Sequence, residues 1–168
     1  MLIDKPSWRD ARRLLHFPGT ELTLARAFAR GHKQSRQRTP GLSLLMRGGR
    51  DYLKCAVLYY GYMLEMTGSS RVADAAKQFG FVNPSAGTSV ADLPPDVPLF
   101  IARAGQDHMP GLNAALDDFV DEALTPNLPV TVINHAGGAH AFDLFHDSEM
   151  SREIIRQTLA FMRFHLTA

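Results

Sequence analysis

Residues 98–145 read PLFIARAGQDHMPGLNAALDDFVDEALTPNLPVTVINHAGGAHAFDLF, and this stretch decides the fold. PLFIARA (98–104) is an apolar run of strand length that Gly105 breaks. GLNAALDDFVDEAL then places apolar residues at 112, 115, 116, 119, 120, 123 and 124, one face of a helix introduced by Pro110. PVTVINH (129–135) is a second strand. SREIIRQTLAFMRFHL repeats the helical spacing at 154, 155, 159, 161, 162 and 166, with Ser148 or Ser151 as its cap. Strand, helix, strand, helix in that order predicts parallel strands joined by crossovers, hence an α/β sheet.

Working outward, LKCAVLYY (53–60) is another apolar run, suited to a strand buried on both faces. Residues 61–97 read as irregular, apart from a helix in SRVADAAKQFG that Gly80 would stop. Residues 1–40 differ in kind. They hold nine Lys and Arg against three acids, a net +6, whereas the remainder carries −5. Such a split can mark an arm for an anionic surface. These bases are not interleaved with aromatics, so a solvated helical face is expected and nucleic-acid binding is not.

At 168 residues, with 45% hydrophobic and 21% charged residues, the chain has the composition of a globular domain with a real core. The single cysteine, Cys55, excludes an internal disulfide and sits in an apolar run, where a packed core thiol is expected. MLIDKPSWRD lacks the apolar stretch of a signal peptide, and no segment is apolar enough to span a bilayer. A cytoplasmic protein with no membrane partner is the expectation.

Chemistry in an open parallel sheet gathers in the loops beyond the carboxyl ends of its strands. Asp107 lies three residues past Ala104, and His140 lies five past His135. If the two strands are neighbours, about 4.8 Å apart, both loops open on one edge. A carboxylate and an imidazole so placed can hydrogen-bond, which fixes the ring tautomer and raises the basicity of the free nitrogen. Gly137 and Gly138 are expected to let the chain double back and aim the imidazole over the sheet edge. His135, His140, His146 and Asp143 have spacings that match no compact ligand motif, so no metal site is expected.

CAVLYYG, LPPDVPLFIARAGQDHMPGLN, GGAHAFD and the terminal SREIIRQTLAFMRFHL together resemble the second half of an α/β-hydrolase of the dienelactone hydrolase and esterase type. The resemblance covers roughly residues 41–168 and implies a partial α/β-hydrolase fold, with residues 1–40 a helical, atypical segment. By resemblance, Asp107 in G-x-D is the acid and His140 in G-x-H-x-F the histidine of a triad. The implied activity is hydrolysis of a small carboxylic ester or lactone, with no cofactor. The family's G-x-S-x-G elbow should fall near residues 34–38, where QSRQR stands. Ser35 lies near that place without glycine flanks, and Ser43 in GLSLL keeps one glycine but falls on the following helix. The abrupt change at residue 41 suggests a truncated or wrongly framed reading frame. The alternative expectation is therefore an inactive remnant, whose exposed sheet edge would make it an oligomer subunit or interaction module.

Overall fold

The computed structural model describes residues 53–61 and 89–167, together with Asp74, Lys77 and Gln78. The basic segment 1–40, Ser35 and Ser43 lie outside the described residues. Asp74, Lys77 and Gln78 are helical, within the helix expected in SRVADAAKQFG.

Among the described residues, three strands form one parallel sheet in the order β1-β2-β3: β1 (Ala56–Tyr59), β2 (Leu99–Ala104) and β3 (Val130–His135). The register pairs Ala56 with Leu99 and Tyr59 with Ala102 on one side of β2, and Leu99 with Val130 and Ala104 with His135 on the other. Helix α1 (Leu112–Leu124) links β2 to β3; a single turn α2 (Phe142–Phe145) and the long α3 (Glu149–Thr167) follow. The chain is thus of α/β character, with a small parallel sheet.

The two-residue period of the strands sorts the core into two layers. Leu58, Leu99 and Ile101 join Leu116, Phe119 and Ala123 of α1 on one face, closed below by Val90 and Leu93. Phe100, Ala102 and Ala104 join Phe142 and Ile154 on the opposite face, with Val57, Tyr59, Tyr60, Ile133 and Phe161 packed against them. β2 is the central strand, and every residue in it except Arg103 is buried. Arg103 crosses the α1 face instead, holding Asp117 through Nε (2.7 Å) and Nη2 (2.9 Å) and reaching Asn134 through Nη1 (3.1 Å). It ties β2, α1 and β3 near the carboxyl ends of the two strands. Leu112, Leu116 and Phe119 are all at least 99% buried, worth roughly 1.5–3 kcal/mol each.

Several expectations need correction. β1 is not buried on both faces; only Leu58 is buried, and its neighbours are half-buried. Cys55 is half-buried rather than a core thiol. The cap of α3 is Ser148, whose Oγ accepts the Ser151 N–H at 3.1 Å, while Ser151 lies inside the first turn. The buried face of α3 is Ser151, Ile154, Thr158 and Met162, whereas Leu159 is exposed. The apolar pattern alone misjudged this face because two buried positions are polar with distant partners. Thr158 Oγ1 pairs with the Tyr59 hydroxyl at 2.6 Å, and Ser151 Oγ with His135 Nε2 at 3.1 Å. Among the described residues, no helix is long and apolar enough to cross a membrane.

Candidate active site

The ladder between β2 and β3 does not stop where the strands do. Gly105 N–H donates to the His135 carbonyl (2.9 Å) and Gln106 N–H to the Gly138 carbonyl (2.8 Å). These bonds draw the two following loops together beyond the sheet edge. Gly105 is required there: a Cβ would lie 2.6 Å from the Ala136 carbonyl oxygen, backbone that cannot swing aside. The Asp107 N–H then turns back to the Ala104 carbonyl at 3.1 Å and aims the side chain across the gap.

Asp107 and His140 meet. His140 Nδ1 lies 2.8 Å from Asp107 Oδ2. The other carboxylate oxygen, Oδ1, accepts the Met109 N–H at 2.9 Å, so both oxygens of a side chain with 0% exposure are satisfied. The imidazole keeps 38% of its surface open to solvent. The bond to the carboxylate makes Nδ1 the protonated nitrogen and leaves Nε2 as an outward acceptor. Among the described residues, no hydroxyl or thiol bonds that nitrogen.

The glycines before His140 act otherwise than expected. Neither Gly137 nor Gly138 has a positive φ. Gly138 is needed for a close approach, since a Cβ would stand 2.6 Å from the His135 ring, whereas Gly137 has open space. The left-handed residue that turns the chain is Ala141 (φ 61°, ψ 35°), directly after the histidine and at the start of α2. Such a conformation costs a residue with a Cβ of order 1–3 kcal/mol.

Two site neighbours escaped the sequence reading. The Tyr60 ring lies edge-on to His140, with centroids 4.7 Å apart at 60°, and the Tyr60 hydroxyl donates to Asp143 Oδ1. A signal for Tyr60 existed: it stands at the carboxyl end of β1, the position that singled out Asp107 and His140 on the neighbouring strands. In sequence, Asp143 suggests only a place in a metal-ligand set. Its partner in the fold is a tyrosine 83 residues away in sequence.

The other histidines form a separate arrangement. His135 is 4% exposed, packs on Phe142 (4.8 Å) and stacks with His146 (5.5 Å). Its Nε2 meets Ser151 (3.1 Å) and Ser148 (3.3 Å), while its Nδ1 is buried without a partner. Among the described residues, no group of three or more His, Cys, Asp or Glu is arranged to hold a metal. His108 is exposed.

Burial, and secondarily the neighbouring His146, holds His135 below the ordinary imidazole value. Between that lowered value and about 6.5, folded His135 binds fewer protons than the unfolded chain. Stability therefore rises with pH across this window and is lost as pH falls below about 6.5. Denaturant melts between pH 7.5 and 5 are expected to show this slope, and His135→Gln to flatten it. The same slope in both proteins would exclude His135 as its source.

In comparisons with protein-family models, curated proteins and solved structures, none matches this chain.

Proposed function

We propose that Asp107 and His140 are the acid and the general base of an α/β-hydrolase-type triad that hydrolyses a carboxylic ester or lactone. The observation that carries this reading is the hydrogen-bonded pair itself, a fully buried carboxylate orienting a half-open imidazole across two adjacent parallel strands. The chain order of acid before histidine agrees with that family.

In the proposed reaction, a hydroxyl or thiol attacks the substrate carbonyl carbon and its proton passes to His140 Nε2. Asp107 stabilises the imidazolium that forms. The proton then leaves on the departing alkoxide, giving an acyl-enzyme. Water attacks next, again losing its proton to Nε2, and collapse returns the nucleophile and releases the acid.

Cys55 is excluded as nucleophile by position. It precedes β1, level with Pro98, six residues from Ala104 along β2, which is roughly 20 Å from the site at about 3.3 Å per residue. Burial also raises its pKa, which lowers its thiolate fraction. Ser35 and Ser43 remain the candidates.

The test is an intact mass of the full chain after incubation with a fluorophosphonate probe. One stoichiometric adduct is expected, and peptide mapping then identifies the nucleophile. Folded protein that gains no adduct would favour the second reading, an inactive remnant of such an enzyme.

A further inference from the structure

A single hydrogen bond to Asp107 fixes one atom of the His140 ring but not the tilt of its plane, and productive proton transfer depends on both. We infer that Tyr60 is a positioning residue for His140, held in place by a tether from the end of β1 to Asp143 on α2. The inference rests on reading Asp107 and His140 as the functional pair.

Four observations place Tyr60 in that role. Its N–H donates to the Ala102 carbonyl at 2.9 Å, so its backbone is anchored to the central strand. Its φ is +32°, a region that a bulky residue rarely enters unless its surroundings enforce it. Its ring is boxed by Tyr59 and Phe142, each with centroids 5.8 Å away and edge-on, leaving the His140 ring at 4.7 Å as a third wall. Its hydroxyl donates to Asp143 Oδ1, and Asp143 lies in the first turn of α2, three residues after His140.

The ring is therefore pinned at both ends, by the sheet at its backbone and by α2 at its hydroxyl. The element it is pinned to begins two residues after His140. The Tyr60 ring is one wall of the seat of the His140 ring, and the tether couples that wall to α2. Strain at Tyr60 and at Ala141 flanks the same imidazole, as expected where a fold holds a side chain against its local preference.

The experiment is nitrogen NMR of the His140 imidazole in the full chain, reading the ratio of Nδ1–H to Nε2–H tautomer in the neutral ring. The wild type is expected to hold the Nδ1–H form. Tyr60→Phe keeps the ring and removes the tether, and Asp143→Ala removes its acceptor. Each is expected to lower the ratio about three- to tenfold, the equilibrium effect of one lost hydrogen bond. The double variant should fall no further than the lower single, because both remove the same bond. A merely packed tyrosine predicts altered stability with an unchanged ratio, and an unchanged ratio in both single variants overturns the inference. Tyr60→Leu, which also removes the ring, should fall further; if it does not fold, the two single variants still decide. A probe adduct with an unresponsive ratio would sink the positioning role alone. A responsive ratio without an adduct would sink the hydrolase reading alone.

Discussion

Asp107→Asn is expected to slow fluorophosphonate labelling by about 10⁴-fold while leaving the fold intact. The substitution is nearly isosteric. The asparagine carbonyl can keep the Met109 N–H that Asp107 Oδ1 accepts at 2.9 Å. Its amide NH2 then faces His140 Nδ1, where Oδ2 stood at 2.8 Å. Two donors cannot face each other, so Nδ1 must become the acceptor and the ring proton moves to Nε2. The outward nitrogen is thereby turned from acceptor into donor, and the negative charge that would stabilise an imidazolium is lost as well. His140→Ala removes the proposed base outright and should fall at least as far. The double variant should be no slower than the slower single, since the groups act as a unit. Labelling of Asp107→Asn within tenfold of wild type would show that the pair is structural. The measurement is the second-order labelling rate, read beside a denaturant melt that confirms folding.

Much of the fold could be read in the sequence because its central elements obey simple periods. β2 and β3 follow from two apolar runs ending at Ala104 and His135, and α1 from a stripe in which Leu112, Ala115, Leu116, Phe119 and Ala123 are buried. The parallel pairing of β2 with β3 follows from the intervening helix. What periodicity could not show was polar burial. Ser151, Thr158 and His135 are buried, and beside local bonds within α3 they make hydrogen bonds that join residues 13 to 99 positions apart. A pattern read along one helix contains no information about a hydroxyl on another strand.

The site divides in the same way. The meeting of Asp107 and His140 was legible because position beyond a strand end is a one-dimensional property once strands are assigned. The reason for the glycines was not. Gly137 and Gly138 look alike in sequence, yet only Gly138 faces a ring that would meet a Cβ, and Gly105, read merely as a strand breaker, is the one that admits the neighbouring loop. Close approach depends on what lies across the gap, which the local sequence does not state. Tyr60 was hidden for the related reason that LKCAVLYY reads as one apolar strand, although its last residue leaves the strand with a positive φ.

Phe142→Ala is expected to cost about 3–5 kcal/mol of unfolding free energy, the range for truncating a fully buried phenylalanine. Phe142 is 1% exposed and is a junction between core and site. Its ring packs on Tyr59 at 5.8 Å, Tyr60 at 5.8 Å and His135 at 4.8 Å. Its backbone N–H closes the His140 turn by donating to the Ala139 carbonyl at 3.1 Å. Phe145, three residues on in the same short helix, is 83% exposed. Phe145→Ala should therefore change stability by no more than about 0.5 kcal/mol. The pair controls for composition and helix propensity, because both variants make the same chemical change in one turn of helix. Denaturant melts of the two proteins check the contrast. Equal losses would mean that the described layers do not hold α2, and that something other than the Phe142 ring seats the turn carrying His140. With the expected contrast, the Phe142 variant should also label slowly in the fraction that stays folded, since Tyr60 loses one wall of its box. Stability and site geometry would then share one side chain, as the packing of Phe142 between the sheet and the His140 turn requires.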